Sequence, residues 1–119
     1  MRILYVEDDE INAIVVKRLL RDYDVSRVKT PGEALDLVAK EQFSLILMDI
    51  NLGRGHMDGT ELMKEIKSRF VAYQQVPFFA VTAYALPEDR QRFLDEGFDD
   101  YFPKPVKREP LCEAIERLH

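Results

Sequence analysis

The sequence predicts an α/β domain on a parallel sheet, and three observations carry that prediction. Helix-like and strand-like segments alternate along the whole chain, which favours α/β over two small domains. Leu45-Ile46-Leu47-Met48 is apolar throughout, as a strand covered on both faces must be. That run stops at an acid, Asp49, and the apolar run before Glu7 and Asp8 does the same. A chain of 119 residues with 46% hydrophobic content is one domain's worth and enough for one real core.

The elements follow in order. Arg2 to Val6 reads as a first buried strand. From Glu10 to Tyr23 the residues Ile11, Ile14, Val15, Leu19 and Leu20 keep helical spacing, leaving Lys17, Arg18 and Arg21 on the wet side. Val25 to Thr30 alternates loosely, the pattern of a shorter strand near a sheet edge. Thr30-Pro31-Gly32-Glu33 predicts an N-cap, a proline at the first helical position and a reciprocal glutamate, ahead of a helix filled by Ala34, Leu35, Leu37 and Val38. Phe43 to Met48 is the central strand. After a glycine-rich stretch, a third helix is expected from Thr60 to Tyr73. Val76 to Val81 gives a fourth strand, with Pro77 tolerable only near its start. Leu86-Pro87-Glu88-Asp89 opens a fourth helix that stops before Gly97. Asp99 to Phe102 and Val106 to His119 complete five β/α units with nothing left over.

Composition narrows the function. A net charge of −5 without a basic stripe argues against a nucleic-acid surface. The single cysteine, Cys112, leaves no internal disulfide, and its apolar neighbours mark a small buried hydrophobe. No apolar run reaches membrane-span length, and the N-terminus runs straight into a strand. A soluble, cytoplasmic chain is expected.

In a parallel sheet the strand ends share one edge, so Glu7, Asp8 and Asp49 converge there. Unit charges that close repel by about 4 kcal/mol per pair at an effective dielectric of about 20. Such a cluster suits a divalent cation. Hard carboxylate oxygens without thiolates or an imidazole cluster favour Mg²⁺ over zinc. An aspartate beside Mg²⁺ can attack phosphorus, and Thr82 and Lys104 would reach the same edge to hold the phosphoryl oxygens.

Five segments in order carry a resemblance: Val-Glu-Asp-Asp after the first strand, Leu-Met-Asp-Ile-Asn at the third, Met57-Asp58-Gly59 before a helix, Val-Thr-Ala at the fourth strand, and Lys104-Pro105 after the fifth. Together they resemble the receiver domain of two-component response regulators, colinear over essentially all 119 residues. The resemblance implies a single receiver domain over residues 1–119. Its fold would be a flavodoxin-like (βα)₅ three-layer sandwich with a parallel five-stranded sheet in the order 2-1-3-4-5. It implies that Asp49 is the phosphoacceptor, served by a sensor histidine kinase or His phosphotransfer protein. It makes Asp8 the direct Mg²⁺ ligand, with Glu7 acting through water and Asn51 lending its backbone carbonyl. Thr82 and Lys104 would bind phosphoryl oxygens, Tyr101 would be the switch aromatic, and Pro105 would follow a cis peptide. Asp9 is expected to be solvated at the helix start, where its charge suits the dipole.

Two departures stand out. The stretch Asn51-Leu52-Gly53-Arg54-Gly55-His56-Met57 is longer than in the family and lacks its proline, so altered partner docking or phosphate lifetime is expected. Tyr84 is a bulky residue where the family borders the route of attacking water, which would slow self-hydrolysis. An aspartyl-nucleophile enzyme acting on soluble substrates is the first alternative. It would need a general acid near Asp49, where Asn51 stands, and a cap. A degenerate, binding-only receiver is the second, although every required residue is present. Output target, cognate kinase and oligomeric state are not legible.

Overall fold

The computed structural model describes residues 1–52, 57–83 and 86–118. Five strands, β1 (Arg2–Val6), β2 (Asp24–Val28), β3 (Leu45–Asp49), β4 (Phe78–Thr82) and β5 (Asp100–Pro103), alternate with α1 (Glu10–Leu19), α2 (Pro31–Lys40), α3 (Gly59–Arg69), α4 (Asp89–Glu96) and α5 (Arg108–Glu116). The strands form one parallel sheet in the order β2-β1-β3-β4-β5, the flavodoxin-like order expected. Every residue of β3 and β4 is buried, which explains their unbroken apolar runs.

Alternation along the strands divides the core into two layers. Leu4, Val6, Ile46, Met48, Phe78 and Ala80 face α2, α3 and α4. Ile3, Tyr5, Leu45, Leu47, Phe79 and Val81 face α1 and α5. Fully burying one such apolar side chain stabilises the fold by about 1.5–3 kcal/mol, so these two layers dominate its stability. Because every strand runs the same way, all five carboxyl ends lie along one edge of the sheet.

Helix starts are set by local chemistry. The Thr30 hydroxyl accepts the Glu33 N–H at 3.2 Å while the Glu33 carboxylate accepts the Thr30 N–H at 3.2 Å, the reciprocal cap read from sequence. Asp58 and Glu61 cap α3 in the same way. Asp9 is exposed and accepts from Ile11 and Asn12 at the start of α1, as expected. α4 ends at Gly97, whose φ of +118° only glycine adopts without strain.

Several boundaries differ from the expected ones. α1 ends at Leu19, not Tyr23, because β2 must already pair Asp24 with Arg2. β2 ends at Val28 because Thr30 is committed to capping α2. α3 ends at Arg69, and Val71–Tyr73 form a separate 3₁₀ turn. That turn points Tyr73 inward, where its hydroxyl donates to the Glu41 carbonyl at 2.6 Å and accepts the Phe43 N–H at 3.0 Å. α5 covers Arg108–Glu116, shorter at both ends than expected.

The largest correction concerns the face of α1. Ala13, Val16 and Leu20 point into the core, whereas Ile11, Ile14 and Val15 are 74%, 55% and 41% exposed. The layer beneath α1 already holds Tyr5, Leu47 and Phe102, so small residues let the helix approach it. Periodicity weighted toward the larger apolar side chains therefore misplaces Ile11, Ile14 and Val15, whereas Leu20 is buried and Leu19 packs against the same layer, as expected. Cys112 is only half-buried at the margin of that layer.

Candidate functional site

The carboxyl edge of the sheet assembles the site from neighbouring strands. β1 lies beside β3 with Val6 opposite Met48, so Glu7 and Asp8 emerge next to Asp49. On the other side, Asp49 lies opposite Val81, one residue before Thr82. Thr82 lies opposite Pro103, and its carbonyl accepts the Lys104 N–H at 2.8 Å. The Lys104-Pro105 peptide is cis, as expected.

From there the Lys104 ammonium donates to Glu7 Oε1 at 2.9 Å and to Asp49 Oδ1 at 3.1 Å. Carboxylate oxygens of Glu7, Asp8 and Asp49 lie within 4.8 Å of one another. Glu7 is wholly buried and Asp49 is 1% exposed, while Asp8 faces solvent. Three hard oxygen donors from two adjacent strands, one open to water, fit a cation that takes a few carboxylates and keeps several waters, as Mg²⁺ does.

One ammonium cannot neutralise two buried carboxylates, and the proton balance reflects that. Burial, and then the adjacent Glu7, push the Asp49 carboxyl up, with Lys104 pulling the other way. Burial would also raise Glu7, but hydrogen bonds with Asp49, Tyr5 and Lys104 outweigh it and hold Glu7 below the usual carboxylate range. Burial would lower Lys104, yet its hydrogen bond to Glu7 and the charge of Asp49 keep it raised. The two carboxyls are thus pushed in opposite directions, Asp49 up and Glu7 down, as expected where two buried acids face one ammonium.

Asn51 follows directly, exposed, its N–H 3.3 Å from Asp49 Oδ1. Thr82 is 2% exposed beside the acids. Tyr101 is buried, and its ring stacks on Phe93 of α4 at 5.4 Å between centroids and 24° between planes. Every sequence-predicted site residue thus lies on or just behind this edge. Arg54, His56 and Tyr84, with the expectations attached to them, lie outside the described residues.

Three residues that sequence reasoning passed over shape the site. The Tyr5 hydroxyl donates to Glu7 Oε1 at 2.7 Å within the buried layer. Arg27, opposite Tyr5 in register, donates through Nε to the Glu7 carbonyl at 2.8 Å and through Nη1 to Glu10 at 3.1 Å. Gly59 packs the start of α3 against the end of β3, where a Cβ would lie 2.4 Å from the Asp49 carbonyl oxygen. The i, i+2 spacing of Tyr5 and Glu7 was the available signal for the first of these.

Comparison with known proteins accords with this geometry. The family description of the response regulator receiver domain matches residues 3–116. The chain belongs to this receiver domain family. Among curated relatives, the polar-differentiation response regulator DivK of Brucella ovis is 33% identical, aligned over 96% of this chain and 92% of its own length. The sensor protein GacS of Pseudomonas syringae is 31% identical over 96% of this chain. The autoinducer 2 sensor kinase/phosphatase LuxQ of Vibrio cholerae is 35% identical over 99% of it. The chain spans only 13% of GacS and 14% of LuxQ.

Among solved structures, the receiver domain of a Pseudomonas aeruginosa sensor histidine kinase is 35% identical, with a TM-score of 0.83 over 98% of this chain and 94% of that one. Its structure carries a magnesium ion coordinated in the active-site cleft. The chemotaxis response regulator CheY4 of Vibrio cholerae aligns with a TM-score of 0.85 at 27% identity, over 99% and 98% of the two chains. This is a receiver domain of two-component signalling, and its acidic cluster fits a phosphoacceptor site. Among the described residues, no helix is long and apolar enough to cross a membrane.

Proposed function

We propose that Asp49 accepts a phosphoryl group from a histidine of a sensor histidine kinase or His phosphotransfer protein, and that the modified domain presents a changed protein-binding surface. The observation that carries this reading is the Lys104 ammonium held between Asp49 and Glu7 while Asp8 stays open to solvent. Glu7, Asp8, Asp49 and the backbone carbonyl of Asn51 would hold Mg²⁺, with Asp8 the direct ligand from the first strand and Glu7 acting through water. When bound, the cation neutralises charge on the phosphoryl oxygens. Lys104 and Thr82 do the same from the other side, in a dry setting where fixed donors act strongly.

The chemistry at Asp49 follows from its environment. A carboxylate oxygen of Asp49 attacks phosphorus in line. The new O–P bond forms as the P–N bond to the donor histidine breaks, and that bond's electron pair returns to the imidazole nitrogen. The product is an acyl phosphate on Asp49, which water later hydrolyses. The domain turns over no separate substrate and is not a conventional enzyme. Phosphate favours the form in which Thr82 closes on it; Tyr101, the expected inward-turning aromatic, is already buried here, so the population shift acts on its packing against α4.

A histidine-bearing partner must approach over the acidic edge. The exposed strip of Ile11, Ile14 and Val15 starts just beyond Asp8 and Asp9 and gives it an apolar surface on which to dock. The reading places the chain, a single receiver domain over residues 1–119, in the cytoplasm. Intact mass after incubation with acetyl phosphate tests it. One phosphoryl adduct is expected that requires both Mg²⁺ and Asp49 and is lost in Asp49→Asn; no adduct under any condition favours a binding-only domain.

A further inference from the structure

We propose that Tyr5 is a positioning residue for the cation site, its buried hydroxyl fixing the orientation of the Glu7 carboxylate through Oε1, the oxygen that also meets Lys104. This rests on the reading of the acidic cluster as a Mg²⁺ site. Glu7 is the longest of the three acids, with three rotatable side-chain bonds, so an unheld carboxylate would sample several directions.

Three donors define its orientation. The Tyr5 hydroxyl reaches Oε1 at 2.7 Å, the Lys104 ammonium reaches the same oxygen at 2.9 Å, and the Asp9 N–H faces Oε2 at 3.3 Å. The Tyr5 hydroxyl is the donor and Glu7 Oε1 the acceptor. The Tyr5 ring has no exposed surface and is packed between β1 and the layer of α1 and α5, so the hydroxyl is a fixed donor.

A core role alone does not account for the hydroxyl. Other buried aromatics, Phe79 in the same layer and Phe43 and Phe78 across the sheet, fill their layers without one. The other fully buried tyrosine, Tyr73, also spends its hydroxyl on a defined acceptor, the Glu41 carbonyl. Lys104 cannot replace Tyr5, because it also contacts Asp49 and would follow that side chain when a cation or phosphoryl group arrives. Tyr5 is the donor to Oε1 that belongs to the strand itself.

Partners that orient metal-binding groups typically alter metal affinity by about 10–100-fold when removed. Titration of the chain with MgCl₂ by isothermal calorimetry, at constant pH and ionic strength, reads this directly. Tyr5→Phe is expected to weaken Mg²⁺ binding by about tenfold. A second variant separates orientation from general loosening of the fold. Glu7→Asp shortens the side chain by one methylene and withdraws the carboxylate from the hydroxyl, so adding Tyr5→Phe to it should change the affinity by less than about twofold.

Equal weakening in both backgrounds would mean that the hydroxyl acts through the fold, and unchanged affinity in Tyr5→Phe alone would mean that it does not act at all. Either result overturns the role of Tyr5 and leaves the cation site standing. Absence of Mg²⁺ binding by the unmodified chain would overturn both.

Discussion

The two halves of the cleft rim are built from different forces. Around β1 and β3, Glu7 and Asp49 are tied to each other by the Lys104 ammonium, which reaches across from the end of β5, and Glu7 also by the Tyr5 hydroxyl, through polar contacts of 2.7 to 3.1 Å. Around β4 and β5, Tyr101 is held by stacking on Phe93, with ring centroids 5.4 Å apart. Charged hydrogen bonds in a dry site are directional and strong, so small displacements are resisted. A stacked pair contributes about 0.5–1.5 kcal/mol beyond its area and can slide or separate gradually. On the proposed function, the half that would meet phosphorus in a fixed geometry is rigid, and the half that would report the event is soft.

Removing the cation of the rigid half should have the largest effect on stability. Lys104→Met keeps most of the side-chain volume but leaves Glu7 and Asp49 facing each other, buried, with no ammonium between them. Breaking a buried ion pair from one side costs about 3–5 kcal/mol. Because Asp49 can take up a proton, the loss should sit near the lower end at neutral pH and grow as pH rises. Chemical denaturation at pH 6 and pH 8 checks this, and added Mg²⁺ should restore much of the loss. Equal stability to the unmodified protein at pH 8 would mean that the rigid half is not held by charge.

The second effect is smaller and has the opposite sign. The Asp49 carboxyl is raised from its ordinary 3.8 to about 8 in the fold, first by burial and then by Glu7. Below the ordinary value, Asp49 is protonated in both folded and unfolded chains and makes no difference to stability. Between there and about 8 the folded chain holds a proton that the unfolded chain has released, so stability falls as pH rises. Glu7 is shifted the other way, but a lowered carboxyl loses its contribution only as pH falls below its ordinary value, so the fall across this window belongs to Asp49. Asp49→Asn should therefore match the unmodified protein near pH 4 and exceed it at pH 8, and Mg²⁺ should narrow the gap. Denaturant midpoints across that range give the answer; a gap that widens toward acid would reverse the proton assignment.

How much of this was legible follows from the same contrast. Acids that end apolar strands stand out because a buried parallel strand tolerates no charge along its length, so Glu7, Asp8 and Asp49 could be read at once. Lys104 was legible only through its place beside Pro105, since a lysine alone says nothing about where it points. The cap at Thr30 and Glu33 was legible because both partners lie within four residues. The core face of α1 was not, because Ala13 and Val16 are chosen for close approach to a crowded layer, and small residues give a weak signal. Tyr5 looked like one more apolar strand residue until the buried Glu7 beside it supplied an acceptor. Gly59 could be read as part of a helix start but not as a contact with the Asp49 carbonyl, which depends on how closely α3 meets β3.

The smallest effect tests the soft half directly. Tyr101 is buried and its ring rests on Phe93, so the ring supplies a large part of its contribution to the resting fold. Tyr101→Phe keeps that ring and should change stability by no more than about 0.5 kcal/mol, as a substitution that makes no cavity and leaves no buried charge unpaired. Phosphorylation of Asp49 should proceed at an unchanged rate, because nothing in the rigid half is touched. What should change, if Tyr101 reports the phosphorylated form, is the partner surface: the hydroxyl meets a different neighbourhood when the ring moves relative to α4. Denaturation and acetyl phosphate kinetics on the same variant separate the two halves. A loss of more than about 2 kcal/mol, the scale of a buried polar group left unsatisfied, would place Tyr101 among the locked groups and remove the distinction between the halves.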